Sequence, residues 1–346
     1  MTSYDVIIAG AGIIGVSLAL ELREQGAAVL LLERAEPGRE ASSAAAGMLA
    51  PADPETPAPL RPLAMESARM FPQFVRKLED RSGIAVDFRR HGAIVLGEHS
   101  PPPDYRKLSE QELSELEPGL VAHGHDAFLV AEDSVDPVLL MRAAVRAAEQ
   151  SGVSLKAGME VREMRSIGTQ VEVLAGSECF LGAAAVNCRG AWFGEPVRPR
   201  KGQMFYLQPK QSGAVQHVLR APGAYIVPRS LGKVLVGTTV EDAGFDKTVE
   251  PATISRLHVS AARYIPALST ATVTESWAGL RPGTPDDLPL MGESEKKGVF
   301  VAGGHYRNGI LLAPATAKIM SGLVLGRPAT MDISAFSPSR FAAARA

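Results

Sequence analysis

The N-terminal part of the chain alternates between two kinds of hydrophobic pattern. A short β-branched run over residues 6–9 predicts a buried strand, and the apolar positions of 13–25 predict a helix that Gly26 ends. A second apolar run over 29–32 predicts a second strand, with Glu33 at its end. This order of strand, helix and strand is typical of a parallel α/β sheet.

The same pattern returns in the middle of the chain. Asp136 and Pro137 are a good helix start, and the helix is predicted to run to Gln150, with Gly152 just past its end. Short strands and a turn are predicted after it, over 153–156, 171–174, 184–187 and 189–192. We interpret these segments as a return to the first sheet.

Other segments favour a second, mainly antiparallel sheet. Its candidate strands cover 93–96, 202–207, 225–227, 234–239 and 273–277. Residues 230–233 are typical of a hairpin turn between two of these strands. Residues 51–62 hold five prolines, which predicts a stiff loop near the functional site.

Three glycines between the first strand and the first helix carry a nucleotide-binding pattern. Gly10 allows a tight turn, Gly12 lets the backbone approach a pyrophosphate, and Gly15 lets the helix pack on the strand. Glu33 can accept hydrogen bonds from ribose hydroxyls. Glycine-rich turns also occur for purely steric reasons, but here strand, helix, second strand and acidic residue are in register. The chain is therefore predicted to bind a dinucleotide, either FAD or NAD.

Length and charge limit the number of domains and the classes of binding partner. A chain of 346 residues is long enough for two domains. A net charge of −2 and a pI near 6.4 give no basic surface for nucleic acid. The apolar segment 6–22 lacks a basic stretch before it and is interrupted by glycine and glutamate, so we predict no targeting or membrane-spanning segment and a cytoplasmic protein. Cys179 and Cys188, on strands expected to be buried, are predicted to be small core residues rather than a disulfide or a metal pair, and no metal site is predicted.

Three further motifs bear on the cofactor. Residues 41–48 are a run of small side chains that would let the backbone lie against a flat ring, or alternatively a helix capped by Ser42 or Ser43. Arg281 stands between a strand end and a Pro-Gly pair, where it either binds a carboxylate in a bidentate manner or caps a turn. Residues 299–315 predict a buried strand, a glycine turn and a helix start that faces an anion.

Four sequence motifs together resemble one family. They are Ser43-Ala-Ala-Ala-Gly-Met48, Tyr225-Ile-Val-Pro-Arg229, Trp277-Ala-Gly-Leu-Arg-Pro-Gly283 and Arg307-Asn-Gly-Ile-Leu-Leu-Ala-Pro-Ala-Thr316. Over residues 4–325 the chain resembles the D-amino acid oxidase and sarcosine oxidase family of FAD-dependent oxidoreductases, and within it the glycine oxidases of thiamine biosynthesis most. The implied fold class is α/β, a Rossmann-type FAD-binding domain (1–82, 133–196 and 285–346) with a discontinuous, mainly antiparallel-sheet α+β substrate-binding domain (83–132 and 197–284).

The resemblance also implies site residues. Arg281 would bind the substrate carboxylate, assisted by Tyr225 and Arg307, with Met48 and Val240 in the wall of the site. The implied FAD contacts are Gly10, Gly12, Ile13, Ile14, Gly15, Glu33, Arg34, Ala41, Ser42, Ala46, Gly47, Met48, Val161, His305, Tyr306, Arg307, Asn308, Gly309, Ile310 and Leu311. The chain departs from the family in a short loop at 101–103 and in Arg189, which must point away from the flavin or meet a phosphate.

The implied activity is oxidation of a small amino acid to the imino acid, with oxygen reduced to hydrogen peroxide. Flavin chemistry needs no protein acid or base at the substrate Cα, and His305 is the one titrating candidate in the proposed site. No cysteine lies in 281–311, so FAD is predicted to be non-covalent. Alternatives are a quinone-linked dehydrogenase, a nicotinamide dehydrogenase and a non-catalytic FAD subunit. The ranking of glycine, sarcosine and small D-amino acids stays open, as does the formation of a homo-oligomer.

Overall fold

The computed structural model describes residues 4–97 and 104–345, with side chains up to residue 341, and the loop expected at 101–103 lies outside the described residues. The helices are α1 (Ile13–Glu24), α2 (Arg61–Ser82), α3 (Glu110–Leu116), α4 (Pro137–Gln150), α5 (Pro251–Tyr264) and α6 (Gly309–Val324). The strands are β1 (Tyr4–Ala9), β2 (Val29–Leu32), β3 (Met48–Leu49), β4 (Phe88–Arg89), β5 (Ala93–Gly97), β6 (Arg106–Lys107), β7 (Asp126–Val130), β8 (Asp133–Val135), β9 (Ser154–Lys156), β10 (Val161–Ile167), β11 (Gln170–Ala175), β12 (Glu178–Asn187), β13 (Arg198–Gln208), β14 (Val218–Ala221), β15 (Ala224–Pro228), β16 (Val234–Gly237), β17 (Thr272–Gly283), β18 (Leu290–Glu293) and β19 (Val299–Gly303).

The first sheet is built around β1. Its order is β10-β11-β12-β1-β2-β9, and β19 pairs with the second half of β12 and with β18. Alternate residues of β1 face opposite sides: Val6 and Ile8 pack against the helices, whereas Ile7 and Ala9 pack against β10 and β11. Helices α1, α2, α4 and α6 contact one another on the first of these faces. The carboxyl end of β1 therefore opens next to the start of α1, where ligands bind in open α/β sheets.

The second sheet is mainly antiparallel. Its order is β17-β13-β16-β15-β14-β5-β7-β6, with a parallel pair between β14 and β5. Helix α5 packs on this sheet, and a separate apolar core lies between them. A small third sheet, β3-β8-β4, carries Met48 at its edge. Along the chain, each of its strands lies where the sequence passes from one large sheet to the other.

Most of the predicted elements are present. Helices α1 and α4 lie within one residue of their predicted bounds, and Asp136 caps α4 through bonds from the N–H groups of Val138 and Leu139. The predicted hairpin turn lies between β15 and β16. In the described residues no helix combines the length and apolarity needed to cross a membrane.

Two predictions were wrong. The proline-rich loop ends earlier than residue 62, because a short 3-10 helix covers Ala58–Leu60 and α2 begins at Arg61 with proline in its first turn. Cys179 is exposed rather than part of the core, since the first residues of β12 extend to the solvent-facing end of the sheet. Cys188 is buried as predicted, and both cysteines are free.

Candidate active site

One large cavity lies between the two main sheets. Its volume is about 820 Å³, at the upper end of the range for ligand pockets. The start of α1, the small-residue run 41–48, the start of α6 and the inner faces of β13, β15, β16 and β17 form its wall. The predicted site residues that line it are Gly12, Ile13, Ile14, Ala41, Ser42, Ala46, Gly47, Met48, Tyr225, Val240, Arg281, His305, Tyr306, Arg307, Gly309 and Ile310.

The glycine turn at the start of α1 has the geometry that its spacing predicts. Gly10 has a φ of +103°, which favours glycine. A Cβ on Gly15 would lie 1.9 Å from the Gly10 carbonyl oxygen, so only glycine lets the helix pack this closely. The Glu33 carboxylate is buried and accepts N–H groups from Ala11 (2.8 Å) and Ala35 (3.0 Å). Glu33 therefore fixes the turn in addition to its proposed ribose contact.

Two parts of the cavity wall present backbone N–H groups without an acceptor among the described residues, and a third part is the N-terminal end of a helix. The free N–H groups belong to Gly12 and Ile14 at the start of α1 and to 45–47 in the small-residue run, and the helix end is the start of α6 at Gly309 and Ile310. Neither helix is capped by the side chain of its own N-cap residue, and neither has an acidic residue in its first turn. FAD carries acceptors on its pyrophosphate and on the polar edge of its flavin. The donor set of this cavity fits that cofactor.

The small-residue run forms turns rather than the alternative capped helix. Ser42 caps a different element, since its hydroxyl accepts the N–H of Ile13 at 2.9 Å. A Cβ on Gly279 would lie 2.6 Å from the Ala44 side chain, so β17 approaches the run too closely for any larger residue. Trp277 Nε1 donates to the Ala44 carbonyl at 3.2 Å. The second sheet thus holds the run in place.

Arg281 lies flat over the neighbouring strand. A Cβ on Gly202 would lie 2.2 Å from its guanidinium. Its Nη1 donates to the Thr239 carbonyl at 3.2 Å and its Nη2 to the Thr238 hydroxyl at 2.9 Å. Because a guanidinium has five N–H groups, Arg281 retains donors for a carboxylate in the cavity.

Tyr225 is placed by another glycine. A Cβ on Gly237 would lie 2.8 Å from the tyrosine ring, so the ring occupies the space that a side chain would fill. The Tyr225 hydroxyl donates to the Met204 sulfur at 3.1 Å. Burial raises the pKa of Tyr225 against the lowering effect of Arg281, so the residue stays a neutral phenol that can donate a hydrogen bond.

A charged cluster in the cavity wall is not predicted by the sequence. Arg220 donates to Asp53 (2.6 Å), Glu132 (2.8 Å) and the Tyr105 hydroxyl (3.0 Å). Burial raises the pKa of Glu132 to about 7, because the cost of desolvation exceeds the attraction of Arg220. Arg220 lies outside the predicted strands and motifs, and only the prediction of a proline-rich loop near the functional site pointed to Asp53.

The same loop also reaches a predicted site residue. Arg307 forms an ion pair with Glu55, which lies two positions after Asp53. Both loop carboxylates line the cavity together with Pro54. The loop is therefore tied to the second sheet by Arg220 and to the start of α6 by Arg307.

His305 does not have the environment of a proton carrier. Its side chain is 3% exposed, and its Nε2 lies 3.2 Å from the Thr316 hydroxyl. Burial lowers the pKa of His305 to about 3, so the imidazole is neutral over the usual working range of pH. It lines the cavity as a neutral polar group.

Some predicted FAD contacts lie outside the cavity wall. Gly10, Gly15, Glu33, Arg34, Val161, Asn308 and Leu311 are not part of its lining. Arg34 stacks on Trp192 at 3.5 Å and pairs with Glu40, and the Leu311 carbonyl accepts the Ser67 hydroxyl at 2.7 Å. These residues lie outside the cavity lining, and their contact with FAD stays a prediction.

The Arg189 guanidinium is bound by other groups of the protein. Its guanidinium donates to the carbonyls of Val161 (3.0 Å) and Phe193 (3.1 Å) and to the side chain of Asn187 (3.0 Å). It therefore points away from the cavity and ties β10 to the end of β12. In the described residues no cluster of histidine, cysteine and acidic side chains could hold a metal ion.

Comparison with known proteins gives consistent matches. A protein-family model described as FAD dependent oxidoreductase (DAO) matches residues 5–323. A glycine oxidase of Geobacillus kaustophilus is 33% identical over 367 residues, which cover 97% of each chain. The crystal structure of glycine oxidase from Geobacillus kaustophilus superposes with a TM-score of 0.93 at 32% identity, covering 98% of this chain and 99% of that chain.

A longer relative matches with part of its length. The bifunctional protein ThiO/ThiG of Synechocystis sp. is 35% identical over 357 residues. The match covers 98% of this chain and 54% of that protein, so the chain spans about half its length. Together, these matches confirm the predicted fold class.

Proposed function

Because this chain belongs to the DAO family of FAD-dependent oxidoreductases, we propose that it catalyses the oxidative deamination of glycine. The products are the imino acid and, from oxygen, hydrogen peroxide. The observation that carries the proposal is that Arg281 and Tyr225 line the same cavity as the free N–H groups of 45–47. Full-length similarity to a glycine oxidase supports it.

Each residue has a defined task in this proposal. Arg281 binds the substrate carboxylate, and the neutral phenol of Tyr225 donates its one O–H to that carboxylate in place of the Met204 sulfur. When bound, FAD supplies the redox chemistry by accepting a hydride from the substrate Cα and passing the electrons to oxygen. The start of α6 faces the cavity with its positive dipole end, which favours negative charge on the flavin.

The cavity favours a small substrate. Met48, Met204 and Ala46 supply apolar wall on the side of the proposed carboxylate site. The loop residues Asp53 and Glu55 line the cavity and are held there by Arg220 and Arg307. Arg307 is therefore available to a substrate carboxylate only in competition with Glu55. The relation to ThiO/ThiG supports a place for the product in the thiazole branch of thiamine biosynthesis.

Substrate and acceptor are tested together. The purified holoenzyme is mixed anaerobically with glycine, sarcosine, D-alanine and D-proline while flavin absorbance is followed, and peroxide release is then measured in air. We expect glycine to bleach the flavin and to yield peroxide, with a rate that rises towards the pKa of the amine because the neutral amine reacts. Strong turnover of D-proline without turnover of glycine would contradict the substrate. Rapid dye reduction with little oxygen uptake would identify a quinone-linked dehydrogenase.

A further inference from the structure

A buried arginine lies directly behind the small-residue run. Arg229, directly after β15, is 5% exposed, and its Nη2 donates to the Ala46 carbonyl. Its Nε finds no acceptor among the described residues. Burying a cation costs several kcal/mol unless it is paired, as Arg220 is with Asp53 and Glu132. Among the described residues Arg229 has no such ion pair. The folded protein therefore keeps an unfavourably buried cation next to the cavity.

The carboxylates nearest to Arg229 are engaged elsewhere. Asp136 accepts the first N–H groups of α4, and Asp87 is bonded to Arg89 and Ser230. Both attract the Arg229 guanidinium at a distance, but no carboxylate of the described residues is within ion-pair range of it. Its remaining neighbours are the Pro228 carbonyl and the Tyr206 hydroxyl. The positive charge is therefore only partly compensated.

The contact with Ala46 fixes the direction of one peptide group. In a trans peptide the carbonyl and the following N–H point in opposite directions. Because the Ala46 carbonyl points to Arg229, the N–H of Gly47 points away from it. The other side of Gly47 is also fixed, since a Cβ there would lie 2.0 Å from the Val135 carbonyl oxygen. Both Ala46 and Gly47 line the cavity, and the Gly47 N–H has no acceptor among the described residues.

We propose that Arg229 is a positioning residue for the flavin, which orients the Ala46–Gly47 peptide towards the ring and whose buried charge raises the flavin's electron affinity. Arg229 is not part of the cavity lining, unlike Arg281 and Arg307. A cation behind the small-residue run stabilises the anionic reduced flavin relative to the neutral oxidised form, because Coulomb interactions are strong where water is excluded. The proposal concerns FAD and does not depend on which amino acid is oxidised.

Three variants separate position from charge. Arg229→Gln keeps an amide donor and removes the charge, whereas Arg229→Lys keeps the charge and loses the planar fork. Trp277→Phe is the matched control, because it removes the other anchor of the run, the neutral bond to the Ala44 carbonyl. For each purified protein the dissociation constant of FAD is measured by titrating the apoprotein, and the midpoint potential of the bound flavin by anaerobic dye equilibration.

We expect Arg229→Gln to bind FAD at least tenfold more weakly. We also expect it to lose at least a further tenfold in the preference for reduced over oxidised flavin, a shift of about 30 mV to more negative potential for a two-electron couple. Arg229→Lys and Trp277→Phe should bind FAD more weakly and keep a potential close to that of the wild type. Wild-type affinity and potential in Arg229→Gln would overturn the proposal. An equal shift of potential in Trp277→Phe would overturn the role of the charge.

If Arg229→Gln does not fold, Arg229→Lys tests whether Arg229 positions the Ala46–Gly47 peptide. Circular dichroism of the apoprotein establishes that it is folded. Weaker FAD binding at unchanged potential then supports an anchor that needs the guanidinium fork. Wild-type affinity for FAD would show that the fork to Ala46 has no part in binding.

Discussion

Arg281 shows how one side chain depends on residues distant in sequence. Its guanidinium lies over Gly202 and donates to Thr238 and Thr239, which stand at the end of a different strand. These contacts immobilise the side chain before substrate arrives, so less conformational entropy is lost on binding.

Replacement of Arg281 should affect turnover far more than cofactor content. Arg281→Ala removes a charge-assisted contact of about 2–5 kcal/mol, so kcat/KM for glycine should fall roughly 30-fold or more. Arg281→Lys should recover only part of this loss, because a point charge cannot reproduce the fork. Steady-state peroxide assays and flavin absorbance per chain measure both effects. Wild-type kcat/KM in Arg281→Ala would show that the residue only caps a turn.

Glu132 makes stability depend on pH in an unusual direction. Burial raises its pKa in the folded protein to about 7 from an ordinary value of 4.5, so the folded state holds this proton more tightly than the unfolded state. The folded state is therefore favoured below pH 4.5, and this contribution is lost as pH rises through about 7. From the difference in pKa it amounts to about 3 kcal/mol.

Glu132→Gln should remove that dependence. The variant keeps a neutral acceptor for Arg220, and Asp53 still pairs with the guanidinium. We expect its thermal midpoint, relative to the wild type, to be higher at pH 8 than at pH 5. Calorimetric scans at the two pH values under one scan rate measure the difference. An identical pH response in both proteins would mean that Glu132 is ionised throughout.

At the scale of elements, the close approach of α1 to β1 depends on Gly15. A Cβ there would meet the Gly10 carbonyl, a backbone atom that cannot move aside. Gly15→Ala should therefore displace the start of α1 and abolish FAD binding. Gly322→Ala in α6 is the control, since its Cβ would meet only Pro328 O at 4.0 Å and alanine favours a helix by up to about 1 kcal/mol.

The two glycine variants are compared by bound flavin and thermal midpoint. Loss of flavin in Gly15→Ala with a retained or raised midpoint in Gly322→Ala is the expected pair of results. Full flavin content in Gly15→Ala would show that the turn relaxes without harm.

At the scale of the whole molecule, the cavity is formed by both main sheets. The first sheet contributes the starts of α1 and α6, and the second contributes Arg281, Tyr225 and the anchors of the small-residue run. FAD bound in it would contact both. We therefore expect saturating FAD to raise the thermal midpoint of the apoprotein, as any ligand of the native state does.

The position of the cysteines bears on how FAD is attached. Cys188 lies behind the Gly10 turn, where burial raises the pKa of its thiol, and Cys179 is exposed on β12. Cys188 lines the cavity, but neither cysteine belongs to the segment 281–311. We predict non-covalent FAD, which acid precipitation of the holoenzyme should release completely into the supernatant. Flavin retained by the precipitated polypeptide would refute this.

Local patterns in the sequence determined the parts of this protein that depend on near neighbours. The strand, turn and helix around Gly10, the cap of α4 at Asp136 and the hairpin at 230–233 follow from periodicity, capping and turn chemistry, which act over a few residues. The family motifs predicted the FAD fold. The 22-residue helix α2 was missed because prolines at 62 and 72 obscure its amphipathic pattern.

Only the tertiary structure decided which polar side chains meet. Arg220 joins Asp53 across 167 positions of sequence, Arg307 joins Glu55 across 252, and Arg229 joins Ala46 across 183. No periodicity links such positions, because each pairing depends on how two sheets pack around the cavity. Burial, which sets the pKa values of Glu132 and His305, arises from the same packing. The sequence alone therefore determined the elements around these local patterns and the family, and the tertiary structure determined which charged groups meet around the site.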